Sequence, residues 1–387
     1  MSADLHGELV SLQRELHRIP ELFFREKETS RYLQNILGGF CQPVPIARTG
    51  LYVDLGPPDA ELTLLLRADM DGLPITEDND LPWRSTVEGQ MHACGHDAHM
   101  AALVVAGRLL SQAPPHGLRV RLLFQPAEEA GGGAQACIEA GVLEGVDAAF
   151  GIHIWNELPL GTLALTAGGI MAGVVEFTCT IQGRGGHGAI PHQTADPVVA
   201  AAQLVTSLQT ISSRFTSPLE PVVVSVGSIH AGDAFNVIPD TAVLKGTVRT
   251  FSLAEQDAVE AHLRAMANGI GVATDTRIGV DWSVHAIPTV NDPGMCELVK
   301  KAVDRMTGIK RVVTDYRTMA GEDFGDLARH VPACFALLGS GNADKGLTEP
   351  HHSPRFAFDE AVLGLACDLH RAVAAEFAES AELHLED

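Results

Sequence analysis

In the first 170 residues, short and mainly apolar runs at 62–66, 120–124 and 148–152 alternate with stretches of helical periodicity. Runs of this length with little alternation belong to strands covered on both faces, so the rhythm predicts a largely parallel α/β sheet flanked by helices. Each run ends in polar residues: Arg67-Ala68-Asp69-Met70-Asp71, then Gln125-Pro126-Ala127-Glu128-Glu129, then His153. Open α/β sheets bind ligands beyond the carboxyl ends of their strands. Three strand ends delivering acids and an imidazole to one edge therefore predict a site there.

Near Gly168 the pattern changes. Alternating apolar and polar residues over 174–181 predict a half-buried antiparallel strand. A helix at 196–212, strands at 222–226 and 242–248 and a second helix at 253–270 follow, and 286–293 reads as a return linker. A helix at 294–306, a buried strand at 334–338, a polar loop to His352 and a closing helix at 359–377 then restore the first rhythm. The organisation read from this is a discontinuous α/β domain, 1–170 and 288–387, with a smaller α+β domain inserted at 171–287. A chain of 387 residues is long enough to divide in this way.

Composition narrows the function. The net charge of −22, from 27 basic against 49 acidic residues, opposes nucleic acid and anionic membrane as partners. The amphipathic, charged N-terminal segment has no apolar core like that of a secretory leader, and runs such as 101–110 are too short to span a bilayer. Seven cysteines, an odd number without CxxC spacing, fit reduced thiols in the cytoplasm. Cys41, Cys137, Cys179, Cys296, Cys334 and Cys367 lie in apolar or helical surroundings that fit a core. Cys94 does not.

Cys94 belongs to Met91-His92-Ala93-Cys94-Gly95-His96-Asp97-Ala98-His99, which leads into a helix from about residue 97. Singly, each would be a surface histidine or a core cysteine. Four cysteine or histidine residues within eight positions at a strand–helix junction reverse that reading. In an extended loop Cys94 and His96 would point the same way and could share a metal, and thiolate with imidazole suits zinc, manganese, iron, cobalt or nickel better than calcium or magnesium. Glu128 and Glu129, adjacent in an extended segment, would point to opposite sides, one toward metal and one toward substrate. His153 and the pair His351-His352 are further candidates.

These motifs resemble the M20 metallopeptidase clan: ADMDGLP at 68–74, MHACGHD at 91–97, QPAEE at 125–129, GIH at 151–153, GRGGHGAIPH at 183–192, FNVIPD at 235–240 and HHSP at 351–354. Within it the sequence is similar to the branch of N-acyl-amino-acid amidohydrolases, hippurate hydrolases and auxin-conjugate hydrolases. The resemblance implies two divalent metal ions (manganese, zinc, cobalt or nickel) held by Cys94, His96, Glu129, His153 and His352, with the Cys94 thiolate bridging. It implies Glu128 as general base, Asp71 as an auxiliary acid, His187 as the oxyanion group of a neighbouring subunit, and Asn236 and Arg249 as substrate contacts. It further implies that the inserted domain is a lid that forms a homodimer, with a tetramer as the other assembly. The sequence departs from many members of the clan in having Asp69 where they have a histidine ligand, and His96 is expected to compensate.

The expected reaction is hydrolysis of N-acyl or N-aroyl amino acids to a carboxylic acid and a free amino acid. Dipeptidase or carboxypeptidase chemistry on the same metals is the neighbouring alternative. A non-catalytic binding protein of this fold and a closed structural zinc site are the others; a spare glutamate beside the ligands argues against the last.

Overall fold

The computed structural model describes residues 3–385; the first two residues of the predicted N-terminal amphipathic segment lie outside them. Helices α1 (Ala3–His17) and α2 (Lys27–Leu37) lead into β1 (Val44–Ile46), β2 (Gly50–Leu55) and β3 (Leu62–Asp69). Then come α3 (His96–Gln112), β4 (Leu118–Gln125), α4 (Gly133–Glu139), β5 (Ala148–Pro159), β6 (Thr162–Ala164) and β7 (Gly168–Met171). The next stretch holds β8 (Gly173–Gln182), β9 (Gly186–His187), α5 (Pro197–Thr210), β10 (Val223–Ala231), β11 (Val237–Ile238), β12 (Thr241–Thr250), α6 (Leu253–Ala273) and β13 (Arg277–Ala286). The chain ends with β14 (Thr289–Asn291), α7 (Pro293–Asp304), β15 (Arg311–Val313), α8 (Phe324–Ala328), β16 (Ala333–Gly341) and α9 (Ala361–Leu385).

These elements form two compact units. One comprises the residues up to Ile170, Val290–Arg317 and the stretch from Asp323; the other comprises Met171–Thr289 and Thr318–Glu322. Residues 288–289 and 318–322, read from sequence with the larger domain, group with the smaller unit. The Ala172 N–H donates to the carbonyls of Thr318 and Ala320, and Thr289 Oγ1 donates to the Glu322 carbonyl, which ties these short segments to the second unit.

The first unit is built on a sheet of order β1-β2-β4-β3-β5-β16-β6-β15, whose central strands β4, β3, β5 and β16 run parallel. Because side chains alternate across a strand, Leu64, Leu66, Val120, Leu122, Phe124, Phe150, Ile152 and Ala336 share one face and join α1, α3, α7 and α9 in a single core. The opposite face carries Arg67, Asp69, Gln125 and Phe335, and is covered in part by α4 and α8. Coverage of both faces explains why these strands read as apolar runs rather than as alternations. From β3 the chain moves to β4 on one side and then to β5 on the other, so the carboxyl end of β3 is a topological switch point.

The second unit has an antiparallel sheet of order β10-β12-β8-β13. Val175, Phe177, Cys179 and Ile181 of β8 point to one face, where α5 and α6 close a separate core around Leu204, Leu208, Val259 and Leu263. The Asp196 carboxylate caps α5 and the Ser252 hydroxyl caps α6, each accepting backbone N–H groups of the first turn. No helix among the described residues is long and apolar enough to cross a membrane.

Candidate metal centre

At the switch point the backbone leaves its ordinary conformations three times: Gly95 has φ 89°, Ala127 φ 55° and His352 φ 64°. A left-handed residue other than glycine costs about 1–2 kcal/mol, so two of them beside one another in a cluster of acids and imidazoles mark a constructed site. Gly95 turns the chain into α3, and His96 is the first residue of that helix. The extended-loop picture of Cys94 and His96 is thereby corrected: they converge through a turn, not through strand alternation. Cys94 Sγ lies 3.4 Å from His153 Nε2. Cys94, His96 and His153 bring ligand atoms within 4.8 Å of one another, as do Cys94, Glu129 and His352, and likewise His96, Glu128 and Glu129.

The paired glutamates also depart from expectation. The turn after Ala127, closed by the Gly131 N–H on the Glu128 carbonyl, brings both carboxylates toward the same imidazole: His96 Nε2 is 3.9 Å from Glu128 Oε2 and 3.8 Å from Glu129 Oε1. They do not point to opposite sides. Asp71 supports them from behind, its Oδ1 accepting the Glu128 N–H at 3.0 Å and its Oδ2 the Glu129 N–H at 3.1 Å. Buried Glu26 accepts the Ala127 N–H at 3.0 Å and the Thr49 hydroxyl, which pins the strained residue. His352, half-exposed, is anchored by its N–H to the Ala93 carbonyl and places Nε2 3.4 Å from Glu129 Oε1.

The electrostatics favour a cation. Burial disfavours charge on His96, yet Asp69, Asp71 and Glu129 outweigh it and hold its pKa up to about 10. The Cys94 thiol is pushed well up by burial and then by Glu129, Glu128 and Asp69, so its thiolate needs a positive partner. His153 is pushed well down, by burial and then by neighbouring imidazoles, and is neutral as a ligand must be. Glu129 is held down despite burial, through His352 and His96. Both ring nitrogens of His96 and Oε1 of Glu129 are buried without a hydrogen-bond partner. Orphaned donors of N, O and S type around one point fit a divalent transition metal.

Asp69, His96 and His99 also lie close together, but Asp69 does not offer free oxygens. Its Oδ1 takes the His99 Nδ1–H at 2.6 Å and its Oδ2 the Arg67 guanidinium at 2.7 Å. Arg67 in turn reaches Gln125 and Asp323. Sequence reading gave no supporting role to Glu26, Arg67, His99 or Asp323: His99 stood in the histidine-rich motif and Asp323 in a segment similar to a family motif without a role, Arg67 in the polar stretch after its strand, and Glu26 carried no signal.

The remaining candidates lie in the second unit. Exposed His187, on β9, pairs with Val237 of β11 and accepts the Ala189 N–H at Nδ1. Asn236 adjoins it, its carbonyl accepting the Gly188 N–H. Half-buried Arg249 stands near the other end of β12, donating to Thr247 Oγ1 at 2.7 Å. Within this unit His187 and Asn236 are brought together and Arg249 is not.

An α/β sheet whose strand ends gather a thiol, imidazoles and a pair of carboxylates defines a metal-binding protein of the hydrolytic kind. Residues 65–376 match the model of peptidase family M20/M25/M40, and the chain belongs to that family. It is an enzyme of the amidohydrolase branch. It is 39% identical over 364 residues to a Bacillus subtilis protein named N-acetyl-L-cysteine deacetylase, covering 93% of this chain and 85% of that protein. It is 36% identical over 379 residues to thermostable carboxypeptidase 1 of Saccharolobus solfataricus, covering 95% of each. The solved structure of the Bacillus subtilis YXEP protein, described as a dinuclear metal binding peptidase from the M20 family, superposes with a TM-score of 0.86 at 34% identity, covering 98% of this chain and 99% of that one.

Proposed function

We propose that the protein hydrolyses the amide bond of N-acyl or N-aroyl amino acids at a centre of two divalent metal ions, held by Cys94, His96, Glu129, His153 and His352. The observation that carries this reading is the double membership of Cys94, which stands in one ligand group with His96 and His153 and in another with Glu129 and His352. The two groups, with Cys94 shared between them, would hold two divalent ions of the manganese, zinc, cobalt or nickel kind. When bound, such ions supply Lewis acidity and water of lowered pKa.

Glu128 takes the proton of the attacking water and returns it to the leaving amine. Asp71 holds the two glutamates in register through their amides. In this reading the inserted unit is a lid that pairs two subunits, as a dimer or within a tetramer, and His187 of one subunit steadies the oxyanion formed in the other. Asn236 and the planar fork of Arg249 receive the substrate's polar groups and carboxylate. A cytoplasmic site of action is consistent with seven free cysteines.

Carboxypeptidase action on the same metals is the second reading, favoured by the Saccharolobus solfataricus relative. Parallel assay of acetyl-amino acids and dipeptides separates the two. Glu128→Gln is expected to lower kcat by at least about two orders of magnitude while metal content stays at two ions per chain. Loss of metal in that variant would reverse the roles given to Glu128 and Glu129.

A further inference from the structure

His96, His99 and His153 form a triangle of buried rings with centroids 4.7–5.9 Å apart, and the ring that points to no ligand group beyond Asp69 and His96 is the best anchored. His99 Nδ1 sits 2.6 Å from Asp69 Oδ1, and its Nε2 accepts the Ile154 N–H at 2.9 Å. An N–H can only donate, so Nε2 carries no proton and the ring proton is on Nδ1, facing the carboxylate. Both nitrogens are thus spent. On the next peptide, the Ile154 carbonyl lies 2.6 Å from His153 Nδ1, which must therefore carry a proton. The lone pair of His153 is left on Nε2, 3.4 Å from Cys94 Sγ.

The backbone of Ile154 is consequently clamped between two imidazoles, with the Asp69–His99 pair behind and His153 in front. Asp69 is itself fixed by Arg67, whose side chain is 1% exposed and also bonded to Gln125 and Asp323. We infer that His99 is a positioning residue, not a metal ligand: through the Ile154 amide it sets the tautomer and aim of His153 at the metal centre. This rests on the dinuclear reading above. Supports of this kind typically change metal affinity 10–100-fold when removed.

The test is titration of the metal-stripped, full-length protein with cobalt(II), followed by calorimetry and by visible absorption of the cobalt–thiolate chromophore. Wild type is expected to take up two ions. His99→Phe is expected to bind one of them 10–100-fold more weakly with an altered spectrum, while KM at saturating cobalt stays within twofold. His99→Gln, whose side-chain carbonyl can accept the Ile154 N–H, should recover part of the affinity. Wild-type affinity and spectrum in His99→Phe, or no difference between the two variants, would overturn the role of His99. A wild type that binds one cobalt, still sensitive to His99→Phe, would overturn the dinuclear reading and keep this one. Should His99→Phe not fold, ¹⁵N-histidine spectra of the metal-free wild type carry the test: two rings protonated at Nδ1 support the clamp, and Nε2-protonated rings alone overturn it.

Discussion

His17 and Asp97 form a buried ion pair one residue from His96, with Nδ1 and Oδ2 2.7 Å apart. Burial disfavours the imidazolium, but Asp97 and Glu77 outweigh it and raise the His17 pKa to about 10; burial likewise opposes the carboxylate, and His17 lowers Asp97 to about 2. A pKa raised on folding contributes stability that is complete below the unfolded value near 6.5 and fades as pH climbs toward 10. A depressed one contributes above about 3.8 and fades toward pH 2. His17→Gln should therefore cost about 3–5 kcal/mol between pH 4 and 6.5, and its stability gap to wild type should narrow as pH rises from 7 to 10 in denaturant titrations. A gap independent of pH would show that packing, not charge, is what His17 supplies. At the same scale, Arg249→Ala is expected to raise KM for acyl-amino acids at least tenfold with little change in kcat. An unaltered KM would remove Arg249 from carboxylate recognition.

At the scale of elements, the site depends on how β3, β4 and β5 end and how α3 begins. The entry to α3 is the tightest of these joints. A Cβ on Gly95 would meet Ile154 Cδ1 at 2.5 Å, and its φ of 89° disfavours any side chain. Gly95→Ala is expected to destabilise the protein by at least about 2 kcal/mol and to lower metal content, because Cys94 and His96 flank the turn. Thermal unfolding and metal analysis of the purified variant check this; wild-type values for both would mean the turn is tolerant. Sequence periodicity located this joint but misjudged its geometry. Local alternation describes a strand, whereas Cys94, His96, Glu128 and Glu129 are aimed by turns at Gly95 and Ala127. The long β13 escaped sequence reading, although Arg277–Ala286 alternates in exposure, because its pattern lies between a helix and a linker.

At the scale of the whole molecule, two cores of separate composition predict unequal responses to metal removal. The candidate ligands all lie in the first unit. A metal that binds only the folded state stabilises it by about 2.7 kcal/mol at a hundredfold excess over Kd. Chelation is therefore expected to lower the calorimetric transition of the first unit by several degrees and leave that of the second in place. Equal shifts of both would show that the units unfold as one. The strand–helix rhythm and the change of pattern near Gly168 were legible in the chain, because burial on two faces writes apolar runs and burial on one writes alternation; the candidate ligand set came from the resemblance of the motifs to a family, since singly each acid and imidazole has an ordinary reading. Asp69 shows what was not legible: in sequence it stands where many relatives have a histidine ligand, and only folding, which sets His99 on one oxygen and the Arg67 guanidinium on the other, commits both its oxygens. By itself the sequence determined which residues are chemically able to hold a metal; the tertiary structure decided which of them have lone pairs left over, since that depends on hydrogen-bond partners up to 256 residues apart.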